Sequence, residues 1–128
     1  MPLEPTATLE VADRFLEASR RGDTKAMVAF YAPEGAVWHN YDDTVIDPAA
    51  SARALAWLHR TVPDLVWDDV RIVATDEGFV LRSVLRGTAK GGPVEIHSCV
   101  VVTLDADARI LRTDEYLDSA ALAPMLSR

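Results

Sequence analysis

Glu115 is the residue whose neighbours best equip it for acid–base chemistry. It stands in the run Arg112-Thr113-Asp114-Glu115-Tyr116-Leu117-Asp118, where strand alternation puts Leu111, Thr113, Glu115 and Leu117 on one face. A carboxylate on such a face, turned inward, loses its hydration. Desolvation disfavours the charged form and lifts the pKa toward the range useful for general acid–base catalysis. The alternative is a face that meets solvent or an arginine partner. His39 and Asn40 are the next candidates, at the end of an extended run from Ala36 to Asn40. An imidazole can hold or move a proton, and an amide can orient water or a carbonyl. Alternation lets only one of the two face inward. Trp38 travels with Asn40, and His39 points the other way unless the strand bulges. Trp38 itself reads either as a pocket wall or as a packed core aromatic.

Other chemistries find less support. Ser83 and Ser98 offer polar handles, but no histidine and acid stand at a recognisable spacing to make either a nucleophile. His39, Asp42 and Asp43 lack dedicated metal-ligand spacing, so this stretch reads as a solvated loop and no metal is expected. No glycine-rich phosphate loop or dinucleotide fingerprint is present, and no cofactor is expected. Cys99, the single cysteine, lies in the apolar run Cys99 to Val102 and reads as a small buried hydrophobe. His59 reads as a helix C-terminal cap, and His97 falls on the sheet face opposite Ser98, which suits a surface or an interface.

The elements that must position these residues follow from periodicity. Leu9, Ala12, Phe15 and Leu16 recur at helical spacing between Thr8 and Arg21, with Arg20-Arg21 in the last turn and Gly22 as the stop. Asp23 caps a second, short helix through Tyr31, which Pro33-Glu34-Gly35 breaks. A polar loop from Tyr41 to Val45 leads to Asp47-Pro48, an N-cap and first-turn proline for a third helix that carries Leu55 and Leu58 inward and ends near His59-Arg60. After Pro63 the period becomes 2. Leu65 to Ala74, Phe79 to Thr88, Val94 to Leu104 and Arg109 to Asp118 read as strands joined by short turns, hence as an antiparallel meander. Helices first and hairpins last make an α+β structure, a curved antiparallel sheet wrapped around N-terminal helices.

Composition sets the remaining bounds. A chain of 128 residues, 49% apolar and 26% charged, is expected to fold as a single domain with one core. Twenty acidic against 13 basic residues give a net charge of -7, which disfavours nucleic acid and anionic membrane surfaces as partners. The start Met1-Pro2-Leu3-Glu4-Pro5 has no secretory pattern and no apolar run approaches a membrane span, so a cytoplasmic protein is expected. Glu95, His97, Cys99, Val101 and Thr103 form the second face of their strand, and that face is half apolar. A homodimer that covers it is the expectation, with a monomer tolerating a modest patch as the alternative.

Three helices before four long strands, the stretch Val37-Trp38-His39-Asn40, and the closing run Arg112 to Asp118 together resemble the nuclear transport factor 2-like superfamily, nearest to SnoaL-like and ketosteroid isomerase-like bacterial proteins. The resemblance spans about Val11 to Asp118. It implies a cone-shaped fold of the cystatin-like type, with Glu115 turned toward an apolar pocket for a small hydrophobic organic molecule. Phe15, Trp38, Leu81 and Ser83 line that pocket in this reading, together with Leu85, Ile96, Ser98 and Leu117. Against the ketosteroid isomerase pattern, the oxyanion tyrosine falls at Phe15, the strand acid at about Val100, and the general base at His39 or Asn40. Against the epoxide hydrolase pattern, the aspartate-arginine-aspartate trio reads Ser83, Leu81 and Glu115, and the water-holding pair Trp38 and Asn40. Neither known set is complete. Two functions stay open: a cofactor-independent isomerase, cyclase or hydrolase with Glu115 as acid or base and His39 or Asn40 as its partner, or a non-catalytic binding or assembly module.

Overall fold

The structure, a computed structural model, describes residues 3–127. Met1 and Pro2, part of the N-terminal stretch considered above, and Arg128 lie outside the described residues. Helix α1 spans Pro5–Arg21. It starts a turn earlier than periodicity predicts because Pro5 sits in the first turn, where a missing N–H costs nothing. Gly22 ends it in the left-handed conformation at φ 65°, and the Asp23 amide donates back to the Ala18 carbonyl. Asp23 then caps α2 (Thr24–Ala29) by accepting from the Ala26 amide at 3.1 Å. Helix α3 (Pro48–Thr61) is capped in the same way by Asp47. His59 does cap a helix end, but not that of its own helix: its Nε2 lies 2.8 Å from the Ser19 carbonyl of α1, and its ring stacks on Trp67.

Six strands form one curved sheet: β1 (Tyr31–His39), β2 (Thr44–Ile46), β3 (Val66–Ala74), β4 (Gly78–Ala89), β5 (Gly92–Leu104) and β6 (Ile110–Tyr116), in the order β2-β1-β6-β5-β4-β3. The meander β3 to β6 is antiparallel throughout. The curved antiparallel sheet expected from the sequence has one exception, the parallel pairing of β1 with β6. No hairpin joins these two; α3 and four strands lie between them in the chain, so turn geometry does not impose antiparallel pairing. Two corrections concern β1 and β2. The run Tyr31 to Gly35, read as a helix end and a breaking turn, is strand with a register shift between Tyr31 and Ala36, which lets Pro33 and Gly35 sit in it. The loop expected from Tyr41 to Val45 contains the start of β2, which pairs with β1 as a short edge hairpin.

The core fills the concave side of the sheet in two regions. Val11, Ala12, Phe15 and Leu16 of α1 pack on Phe79, Leu81, Val102 and Ile110. Val62, Leu85, Val94, Ile96 and Met125 form the second region. Gly78 is fixed by this packing, since a Cβ there would collide with the Val102 carbonyl oxygen. A 3-10 helix, Ser119–Met125, follows the last strand and brings Leu122 and Met125 over the second region. No helix among the described residues is long and apolar enough to cross a membrane.

Candidate active site

Between the two core regions the concave face encloses a cavity of about 190 Å³. Its walls come from several elements. Helix α1 supplies Phe15, and α3 supplies Ser51, Leu55 and Leu58 from one face at helical spacing. The sheet supplies Leu81, Ser83 and Leu85 from β4, and Ile96, Ser98 and Val100 from β5. Leu117, Leu122 and Met125 complete the apolar wall. Ser83 and Ser98 are cross-strand partners, so their side chains share the inward face.

The polar end of the cavity is built by β1 and β6. In a parallel pair, register partners present their side chains on the same side, and His39 is the register partner of Glu115. Both face the cavity, with Nε2 of His39 3.9 Å from Oε2 of Glu115. Glu115 borders the cavity and shows 30% of its side chain. Burial pushes its carboxyl above the ordinary value; His39 pulls it back and Asp42 pushes it further up. The His39 ring is 9% exposed and stacked on Tyr41, with centroids 4.9 Å apart. Its Nδ1 is buried without a hydrogen-bond partner and faces Asp42 Oδ1 at 3.6 Å. Two tyrosines complete this end. Tyr31 shares a 2.8 Å hydrogen bond with Thr113, and burial above all pushes its phenol up to about 12. Tyr41 is also pushed up to about 12, by burial and then by the neighbouring Glu115 and Asp42. Both phenols therefore stay protonated and able to donate at neutral pH.

The residues singled out from sequence fall into two groups. Glu115, His39, Phe15, Leu81, Ser83, Leu85, Ile96, Ser98 and Leu117 border this one cavity. Trp38 and Asn40 do not. Trp38 points to the opposite face, donates from Nε1 to Asp43 Oδ1 at 2.8 Å, and packs edge-on against Tyr116. Asn40 lies just past the end of β1, where its side-chain oxygen accepts from the Leu117 amide at 2.9 Å and its own amide donates to the Glu115 carbonyl at 3.0 Å. The cause in both cases is alternation about His39, which the pairing with β6 turns inward. The inward pair at the epoxide hydrolase positions is consequently displaced by one residue from Trp38 and Asn40. Leu111 also leaves the predicted face, because a register shift between Thr103 and Leu104 puts Ile110 in the core instead.

Sequence reasoning passed over Tyr31, Tyr41, Trp67, Leu122 and Met125, all of which border the cavity. Tyr31 was hidden by Pro33 and Gly35, which disguise its strand. The spacing of Leu122 and Met125 was the available signal for a closing turn after the last strand. A larger groove of about 890 Å³ crosses the opposite sheet face, lined by residues such as Arg71, Arg82 and His97. It is open to water, whereas the smaller cavity brings Glu115 and His39 together on a mostly apolar wall, so the candidate site is the smaller cavity.

The family model for the SnoaL-like domain matches residues 12–113, four-fifths of the chain. The chain belongs to the SnoaL-like family. No curated protein matches its sequence. Among solved structures, this SnoaL-like chain superposes on PrhC from Penicillium brasilianum with a TM-score of 0.80 at 12% identity, covering 94% of this chain and 86% of that one. It is similar to a candidate polyketide cyclase from Xanthomonas campestris, with a TM-score of 0.77, 21% identity, and 94% and 98% of the two chains covered. A nuclear transport factor 2-like protein from Burkholderia xenovorans gives a TM-score of 0.76 at 20% identity over 97% and 98%. At these identities the likeness is one of fold, and the nuclear transport factor 2-like architecture is the shared feature.

Proposed function

We propose that this chain is a single-domain, cofactor-independent enzyme that moves a proton on a compact hydrophobic carbonyl compound, as an isomerase or cyclase does. The observation that carries this reading is the meeting of His39 and Glu115 at the polar end of an otherwise apolar cavity. Glu115 is the group that exchanges a proton with the carbon beside the carbonyl, because burial pushes its carboxyl upward, in the direction an acid–base catalyst needs. His39 is its partner. Tyr31 and Tyr41, protonated well above neutral pH, supply donors for the oxygen on which charge develops. The proton is returned to a different atom of the same molecule, so nothing is consumed. A cavity of about 190 Å³ is smaller than the ~300–1,000 Å³ of sites for drug-sized ligands, which favours a compact polyketide-like ketone.

A panel of polyketide-like ketones, enones and epoxides, incubated with wild type and with Glu115→Gln, tests this. Turnover that the substitution abolishes supports the enzyme. Binding without turnover by either protein supports the second reading, a binding or assembly module of the same fold.

The assembly we infer is a cytoplasmic homodimer joined through the outer face of β3 to β6. Val73, Val101 and Tyr116 are exposed there, and Arg71 and Arg82 stand directly opposite each other, a like-charge pair that acidic groups of a second copy would relieve. Sedimentation equilibrium of wild type and Val101→Glu is the check, and a monomeric wild type contradicts it.

A further inference from the structure

The buried Nδ1 of His39 is a polar atom that the acid–base reading leaves without a purpose, and its surroundings supply one. An imidazole nitrogen enclosed without a hydrogen bond is costly unless something nearby compensates it. The group it faces is Asp42. That carboxylate does not move freely: Oδ1 of Asp42, the atom 3.6 Å from His39 Nδ1, also accepts from the Thr44 amide at 3.1 Å. The next residue, Asp43, is tied by its hydrogen bond from Trp38 Nε1, so both ends of the loop are fixed to β1 and β2. The separation of 3.6 Å is roughly half an ångström beyond a good N–H···O bond. The ring cannot tilt freely because Tyr41 covers one of its faces. Asp42 is 45% exposed, so its charge stays hydrated while its oxygen points inward.

From this geometry we propose that Asp42 is a positioning residue that keeps the proton of neutral His39 on Nδ1 and so leaves the Nε2 lone pair aimed at Glu115. The inference rests on the acid–base reading of Glu115 and deepens it. When the Glu115 carboxyl passes its proton to Nε2, the products are a carboxylate and an imidazolium whose Nδ1–H points at the Asp42 carboxylate. One O–H bond breaks and one N–H bond forms, and no other atom changes hands. Asp42 stays ionised and offsets the new positive charge, as the carboxylate of a hydrolase triad does for its histidine. His39 then acts as the reservoir for the proton that Glu115 must shed before it can act as a base. The charged and titratable groups that face His39 are Glu115 from β6 and Asp42 from the loop, with Tyr41 stacked on the ring.

Imidazole nitrogen NMR of the full chain labelled with 15N-histidine reads this directly, without any substrate. His39, His59 and His97 are the three histidines, and a His39→Gln sample assigns the His39 signals. Neutral His39 is expected to carry its proton on Nδ1. In Asp42→Ala that preference is lost to the Nε2–H form common to free imidazoles, while the signals of His59 and His97 stay in place. Asp42→Asn retains an oxygen for the Thr44 turn and serves as the conservative second variant; its Nδ1 proton moves upfield, because a neutral amide oxygen attracts the N–H less strongly than a carboxylate does. A wild-type His39 protonated on Nε2, or Nδ1 signals unchanged in both variants, overturns the proposal. The measurement concerns the resting protein, so failure of the turnover assays and failure of this assignment are separate results.

Discussion

His39 and Glu115 are register partners on the parallel strands β1 and β6, and their side chains meet at 3.9 Å on the cavity side of the sheet. The two strands are far apart in the chain and are held together at this point by more than their ladder. Asn40 adds a backbone donor to the Glu115 carbonyl and a side-chain acceptor for the Leu117 amide, fastening the strand ends on both sides of Glu115.

Replacing Asn40 tests that clamp. Asn40→Ala leaves the Leu117 amide without its partner, and a loss of about 0.5 kcal/mol in urea unfolding is expected for one hydrogen bond at an exposed site. Amide exchange at Leu117 should quicken at the same time. Unchanged exchange at Leu117 shows that the clamp does not hold the end of β6.

Glu115 gives a pH dependence of defined sign. Its carboxyl is raised from 4.5 in the folded state, mainly by burial, so the folded chain binds its proton more tightly than the unfolded chain does. Stability from this group is therefore full at a pH below 4.5 and falls as pH rises through the folded value. Glu115→Gln, which cannot ionise, should be more stable than wild type at pH 8, and the gap should close as pH falls to 4. Urea midpoints at the two pH values decide it; a gap that widens on acidification contradicts the burial of this carboxyl.

Tyr31 and Tyr41 carry the corresponding alkaline prediction. Each is raised from 10.0 to about 12, so each contributes stability that is present below pH 10 and lost as pH climbs toward 12. Tyr31→Phe should flatten that alkaline decline. At neutral pH it should also cost about 1 kcal/mol, since buried Thr113 loses its partner. Unfolding curves between pH 7 and 11 check both effects, and a decline as steep in Tyr31→Phe as in wild type removes Tyr31 from the account.

The parts of this fold that were legible in the sequence are those governed by local period and by caps. The strict alternation of Val94, Ile96, Ser98, Val100 and Val102 gave β5 its inward face, and Gly22, Asp23 and Asp47 marked helix ends. What was not legible depends on contacts between distant segments. Which of His39 and Asn40 turns inward is decided by the parallel pairing of β1 with β6, and no residue near His39 reports that pairing. The strand character of Tyr31 to Gly35 was masked by Pro33 and Gly35, which an irregular edge of the ladder tolerates. For the site, Glu115 could be singled out from its own strand, but the closeness of Asp42 to His39 comes from a loop whose left-handed Asp43, at φ 49°, turns the chain back.

The most direct test of the acid–base account is deuterium exchange at the carbon beside a carbonyl, followed by proton NMR in deuterium oxide. 1-Tetralone, a compact hydrophobic ketone, serves as the first probe, with the wider ketone panel behind it. Wild type should accelerate loss of the α-proton signal, and Glu115→Gln should slow the catalysed exchange by about 10²- to 10⁴-fold, the usual contribution of a positioned acid–base group. His39→Gln should lie between the two. Exchange as fast in Glu115→Gln as in wild type, or no acceleration of any ketone by wild type, contradicts the claim that this cavity moves protons.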